Sequence, residues 1–467
     1  MLFNSFPFVV LLLITFGVYY IPAISKKQTF ILILSSLVFY SWNDLPLVLL
    51  LISSAGVNII TSYLIGRKKT NHIKFTALVG VFSNLFILAF FKYAGLISIT
   101  LFKSNNVSEF LIKIPLPIGI SFFTFQGISL VIDVYKENYF SNDKIISQSF
   151  YQHSKNTLFF IAFFPQLVAG PIVKAHEFLP QVEVKKFSEI AWEKCFQEVV
   201  LGYFLKLVVA DNLKDFTFGI SFPYFQNNDT SSLLAMLFGF SFQIFADFAG
   251  YSLIAIGIAR LFGYNLNKNF NFPYISKSFK EFWKRWHISL SSFLQEYLYI
   301  PIGGSRKGKV RTYFNLIITM VLGGLWHGAA WSYAVWGGFH GIALAIERFF
   351  GKRIENDEGV TTKSLRILFV FIMVSLSWLL FKLPEFDHVI QYLDCIIKNT
   401  NYGLNLGLIV SIFVFSTPVI LYHIFYLYLV KFNNSNIQKY KYIFYGIMLF
   451  LIFTNSGIPG SFIYFQF

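Results

Sequence analysis

Between Phe282 and His340 the chain carries five of its eight tryptophans and three of its eight histidines. His287 lies in Phe282-Trp283-Lys284-Arg285-Trp286-His287-Ile288-Ser289-Leu290. His327 follows forty positions later in Leu325-Trp326-His327-Gly328-Ala329-Ala330-Trp331, and His340 in Trp336-Gly337-Gly338-Phe339-His340-Gly341. Imidazoles set among indoles, between apolar runs of membrane-spanning length, suit proton transfer in a place from which water is excluded. A lone histidine in an apolar helix is often a hydrogen-bonded core residue, and His340 is open to that reading. His327 differs, because Gly323, Gly324 and Gly328 surround it and small residues let backbones and ligands approach closely. Ionisable groups at membrane depth are costly and point to function by default. Desolvation keeps such an imidazole neutral and available as a base near physiological pH.

The elements that must position these groups are set by composition. Of the 467 residues, 55% are hydrophobic and only 13% charged, and the mean hydropathy is +0.60. A soluble domain carries about a quarter of its residues as charges, so the chain reads as an all-α, polytopic membrane protein. Runs long enough to cross about 30 Å of hydrocarbon recur near 5–23, 29–42, 45–65, 74–102, 114–134, 157–173, 196–220, 232–263, 312–326, 329–350, 364–383, 404–430 and 440–458. Pro115, Pro117, Pro165 and Pro171 interrupt some of them, which predicts about eleven transmembrane helices plus re-entrant or interfacial ones. The first run lacks a positive segment ahead of it and is expected to remain as a span rather than be cleaved as a leader. With no fixed-period repeat and no soluble insertion, residues 1–467 read as one membrane-embedded domain, its catalytic core at about 240–350. Cys195 and Cys395 fit neither a disulfide framework nor a metal site, and no metal is expected.

The formal charge of +15 is better explained by cytoplasmic loops facing anionic membrane lipids than by nucleic acid. Lys26-Lys27, Arg67-Lys68-Lys69 and Lys185-Lys186 are such clusters, and placing them on one side suggests an N-terminus outside the cytoplasm. Residues 264–311 hold nine Lys or Arg against two acids, Glu281 and Glu296, interleaved with aromatics. An interfacial or re-entrant helix accounts for both features. The plain reading is a positive-inside anchor. The functional one adds an anionic donor whose phosphates would meet Lys284 and Arg285 beside Trp286, with Asn315 and His340 as further candidates on the donor side.

The joint pattern carries a resemblance. Trp283 to Ser291, then Tyr297-Leu298-Tyr299-Ile300-Pro301-Ile302-Gly303-Gly304, then Leu325 to Ala329, resembles the membrane-bound O-acyltransferase family. The match is strongest to the bacterial branch that O-acetylates alginate and peptidoglycan and is related to the acyltransferase of teichoic acid D-alanylation. Ile118 to Gln126, Phe164 to Ile172, Asp247 to Ser252 and Phe462 to Phe467 extend it over nearly the whole chain.

This resemblance implies tilted helices around a pinched central tunnel, with a cytoplasmic entrance for the donor and an opposite one for the acceptor. His327 matches the family's catalytic histidine, and His287 the position that carries a second polar residue such as His, Asn or Asp. One departure is visible: Gln295-Glu296 stands where the branch often has Arg-Asp, so a salt bridge from that arginine has no counterpart here. Acyl transfer from a thioester to a hydroxyl needs a base, for which His327 is suited, and a group orienting the acyl carbonyl, for which His287 or Asn315 is suited. Asp247, inside an apolar run, could orient a helix or a histidine, or simply be a structural hydrogen-bonding residue.

The expected activity is acetyl transfer from cytoplasmic acetyl-CoA across the bacterial inner membrane to a polysaccharide acceptor. Alginate, peptidoglycan and other exopolysaccharides remain open as acceptors. The branch usually works with a periplasmic SGNH-hydrolase-like partner carrying a serine-based site that this chain does not show, so the resemblance implies such a partner for the final transfer. The competing classes are a transporter or flippase, which would also use intramembrane histidines and broken helices, and a scaffold, which leaves the histidine pair unexplained.

Overall fold

The computed structural model describes residues 1–42, 44–101, 116–137, 145–168, 170–350, 359–401, 403–432, 436–460 and 462–463. Pro115, Ala169 and Tyr464 to Phe467 of the sequence motifs lie outside them. The described residues form helices and turns, without a β-strand, as expected where backbone groups must be satisfied within each segment. They fall into two compact units, Met1–Val199 with Ser252–Asn267, and Val200–Tyr251 with Lys268–Phe467.

The first unit contains α1 (Phe6–Tyr19), α2 (Gln28–Ser41), α3 (Pro46–Gly66), α4 (Ile73–Leu101), α5 (Ile120–Lys136) and α6 (Phe150–Ala162). At 21 residues, α3 spans about 32 Å, enough to cross hydrocarbon. Polar groups inside this apolar unit are matched across helices. Asn58 and Asn84 exchange amide hydrogen bonds of 3.2 and 2.8 Å between α3 and α4, Ser62 meets His153 at 2.9 Å, and His176 pairs with Asp133 at 2.8 Å. Pro165 and Pro171 act as the sequence suggests: α6 breaks at Phe163, a single turn Phe164–Leu167 holds Pro165, and Pro171 lies outside any helix.

Two helices are shared between the units. The first, α7 (Trp192–Tyr203), runs into a π-helical turn, Phe204–Ala210, and then α8 (Asp211–Thr217); the second, α9 (Thr230–Leu261), is a single helix of 32 residues. The second unit continues with α10 (Phe279–Arg285), α11 (Ile288–Leu294), α12 (Lys309–His327), α13 (Trp331–Phe350), α14 (Val360–Lys382), α15 (Phe386–Lys398), α16 (Leu406–Phe432) and α17 (Asn436–Thr454). Among the described residues five helices are long and apolar enough to cross a membrane, six if the bent pair Phe6–Tyr19 and Pro22–Ser41 forms one span. The runs at 157–173 and 196–220 are not single straight spans: a break at Phe163 and the π-helical turn divide them.

Packing is tightest between α12 and α13. A Cβ on Gly324 would lie 2.1 Å from the Tyr333 carbonyl oxygen, and one on Gly337 would lie 2.2 Å from the Met320 carbonyl oxygen. Each helix therefore presents bare backbone to the other, the small-residue packing that substitutes for hydrophobic driving force in lipid. Gly337→Val is expected to force the pair apart, at a cost of at least about 1–3 kcal/mol. A fall of several degrees in the midpoint of thermal unfolding in detergent would register it; an unchanged midpoint would show that the contact is soft.

Candidate active site

The site is assembled by two helix ends. Ser278 caps α10, accepting from the Glu281 amide at 3.0 Å, while the Glu281 carboxylate accepts from the Lys277 amide at 2.9 Å. Glu347 of α13 accepts from the amides of Phe279 and Lys280 at 2.6 and 3.0 Å. These acceptors satisfy amides that a helix start leaves without intrahelical partners. Trp286 ends α10, and its ring is buried against Phe282, Phe270 and Trp378.

His287 is the residue at which the chain turns from α10 into α11. Its backbone is left-handed, φ 43° and ψ 55°, a conformation that costs a non-glycine residue on the order of 1–3 kcal/mol. Asn269 secures the turn: its carbonyl accepts from the Ile288 amide at 2.9 Å and its side chain accepts from the Ser289 hydroxyl at 2.6 Å. The His287 ring is thereby pressed edge-on against Phe248, with centroids 4.6 Å apart.

His327 is the last residue of α12, where Gly328 leaves helical geometry. Its ring packs against Trp326, Trp336 and Phe381 at 5.1 to 5.3 Å. The structure brings the two histidines together: their ring centroids lie 6.1 Å apart, and the residues are 0% and 3% exposed. Trp326 touches both rings.

The other candidates lie elsewhere. His340 is behind Trp336, fully buried, with Nε2 3.2 Å from the Ser377 hydroxyl, in contact with Phe282 and Trp283. That is the arrangement of a hydrogen-bonded core residue. Asn315 is twelve residues before His327 on the same helix, about 18 Å along its axis, and donates to the Gly304 carbonyl at 2.9 Å, pinning the loop before α12. It is therefore not gathered with the histidines. Arg285 is engaged by the Glu281 carboxylate and the Asn271 carbonyl, each at 2.9 Å, whereas Lys284 is exposed. Seven of the nine cations of the 264–311 segment are exposed, Lys277 and Arg285 being half-buried. Asp247 faces Lys206 and the Ile463 amide through its carboxylate.

Two residues overlooked in the sequence emerge. The indole N–H of Trp336 is buried beside His327 with no hydrogen-bond partner among the described residues, and Phe248 forms a wall against His287. Both stand inside motifs already noted, but an aromatic residue among 59 Phe and eight Trp carries no positional signal by itself.

Two buried imidazoles lie near each other at helix ends of a helical membrane protein, one of them in a glycine-rich hairpin, an arrangement suited to acid–base chemistry away from water. Comparison with known proteins specifies it. The profile of the membrane-bound O-acyltransferase family matches residues 101–384, and the chain belongs to that family. It is 35% identical over 397 residues to a "probable alginate O-acetylase" of Azotobacter vinelandii, covering 83% of this chain and 76% of the relative. Similarity to the peptidoglycan O-acetyltransferase of Helicobacter pylori is 34% over 402 residues, covering 81% and 76%. A teichoic acid D-alanyltransferase of Bacillus subtilis is 28% identical over 294 residues, 58% of this chain and 70% of that protein. The chain is thus a multi-pass membrane O-acyltransferase, rather than a transporter or a scaffold.

Proposed function

We propose that the chain transfers an acetyl group from cytoplasmic acetyl-CoA, at His327 and His287, toward a hydroxyl of an extracytoplasmic polysaccharide. The observation that carries this reading is the buried approach of the two rings, 6.1 Å between centroids, from residues forty positions apart. That spacing lets one small carbonyl and one hydroxyl lie within reach of both imidazoles. The acceptor oxygen bonds to the thioester carbon while its proton passes to His327. His287 donates to the oxyanion of the tetrahedral intermediate. Re-formation of the carbonyl expels the coenzyme A thiolate, which takes the proton from His327. The surrounding indoles and phenyl rings exclude water and so suppress thioester hydrolysis.

The donor belongs on the side of the exposed cations between Lys268 and Arg311, with Lys284 better placed for phosphates than Arg285, whose guanidinium is already engaged. Alginate and peptidoglycan acetylation by relatives supports a polysaccharide acceptor in a bacterial inner membrane. A periplasmic SGNH-hydrolase-like partner would complete the transfer. The purified chain in detergent, given acetyl-labelled acetyl-CoA with and without such a partner, tests the proposal. Label passing to an acceptor hydroxyl, or thioester cleavage dependent on His327, supports it; an inert mixture in both cases sinks the choice of donor.

Sidedness has its own test. Ser305 and Lys307 are exposed in the loop before α12. Cysteines at either position, with Cys195 and Cys395 replaced by alanine, are expected to react with an impermeant maleimide only when it is given access to the cytoplasmic face. Labelling of intact cells from outside would reverse the donor entrance.

A further inference from the structure

The stretch that follows α17 is stitched to the core beside the histidine pair. The Asn212 side-chain amide donates to the Asn455 carbonyl, and the Gly457 backbone amide to the Leu207 carbonyl, each at 2.9 Å. The Lys206 ammonium, on the π-helical turn, donates to Asp211 at 2.8 Å, to Asp247 at 2.7 Å and to the Gly460 carbonyl at 3.2 Å. All three side chains are buried. Two carboxylates on one ammonium leave an excess of negative charge, and the second oxygen of Asp247 is met by the Ile463 amide at 2.7 Å. A buried carboxylate needs such donors, and charge-assisted bonds of this kind are the strong ones. Gly460 and Ile463 therefore complete the Lys206–Asp247 pair, and the pair in turn fixes where Phe462 lies.

Phe462 is buried, stacked on Tyr251 with centroids 4.7 Å apart and against Phe248 at 5.6 Å. Phe248 follows Asp247 on α9 and presses on His287 at 4.6 Å. His287 has a strained backbone, so its ring depends on what backs it. We propose that Phe462 is a positioning residue for His287, acting through Phe248 and held in place by Lys206 and Asp247. This rests on the reading of His287 as the group that orients the acyl carbonyl. A shortened side chain at 462 lets Phe248 relax into the freed space and loosens the His287 ring without touching substrate.

Phe462→Ala should lower kcat for acetyl transfer at least about tenfold, with KM for acetyl-CoA changed less than about twofold, an orientation effect rather than a binding one. It should also speed deuterium exchange at the His287 imidazole C2 position, read by mass spectrometry of the detergent-solubilised protein, at least about threefold. Exchange at His153 in the other unit should be unchanged and serves as the control. Phe462→Tyr should restore both. If the alanine variant is not recovered from membranes, Phe462→Leu carries the test, with an intermediate rise in exchange. Unchanged His287 exchange in the variant that folds overturns the proposal, whatever its activity. Faster exchange with full activity keeps the mechanical coupling and faults the role given to His287 instead.

Discussion

His327→Ala is expected to reduce acetyl transfer at least about a hundredfold, the usual scale for loss of a general base, at unchanged expression and membrane insertion. The expectation follows from position: the ring is enclosed by Trp326, Trp336 and Phe381, so water is poorly placed to substitute for it. Truncation leaves a space within an aromatic cage, and the α12–α13 contact, made by backbone at Gly324 and Gly337, does not depend on the imidazole. The comparison needs matched amounts of protein and an initial-rate assay with labelled acetyl-CoA. More than a tenth of the wild-type rate would remove His327 from the role of base.

The second large effect separates two functions of His287. As a donor to the acyl oxyanion, it is replaceable by asparagine, whose amide still donates a hydrogen bond, but not by leucine. Leucine also strains at φ 43°, so a loss in His287→Leu has two possible origins. His287→Gly separates them, because glycine accepts the left-handed backbone and supplies no donor. We expect His287→Asn to keep at least about a tenth of the activity. His287→Leu and His287→Gly should both lose about a hundredfold or more, the scale seen when an oxyanion donor is removed. A glycine variant as active as the asparagine one would make backbone geometry, and not the imidazole, the property that matters at this position.

Much of this site was legible in the sequence. Ionisable residues in apolar surroundings are conspicuous by cost, and the glycines around His327 announced a close backbone approach, which Gly324 now shows. The helical, membrane-spanning character followed from hydropathy alone. What hydropathy could not show is where an apolar run breaks. The π-helical turn at Phe204–Ala210 leaves a segment as hydrophobic as an intact span, yet it is there that Lys206 meets its two carboxylates. Asn315 shows a related limit: a buried amide reads as polar, but the bond by which it braces the Gly304 carbonyl depends on a loop folding back across eleven residues. Arg285 and His340 likewise have local partners, Glu281 and Ser377, whose proximity is a tertiary fact in the second case and a helical one in the first. The clasp on Gly460 and Ile463 joins positions more than two hundred residues apart, beyond any periodicity.

The left-handed turn at His287 also limits what mutation can explore. Besides glycine, the residues that tolerate such a backbone best are asparagine, aspartate and histidine, and these are also the polar residues that the sequence resemblance admits at this position. Their codons share the same second and third bases and differ only in the first. A single nucleotide change can therefore exchange one for another without rebuilding the turn, whereas most other substitutions meet a backbone barrier before chemistry is tried. The polar group facing His327 is in this sense evolutionarily adjustable within a narrow alphabet, while the turn that presents it is held constant by Asn269.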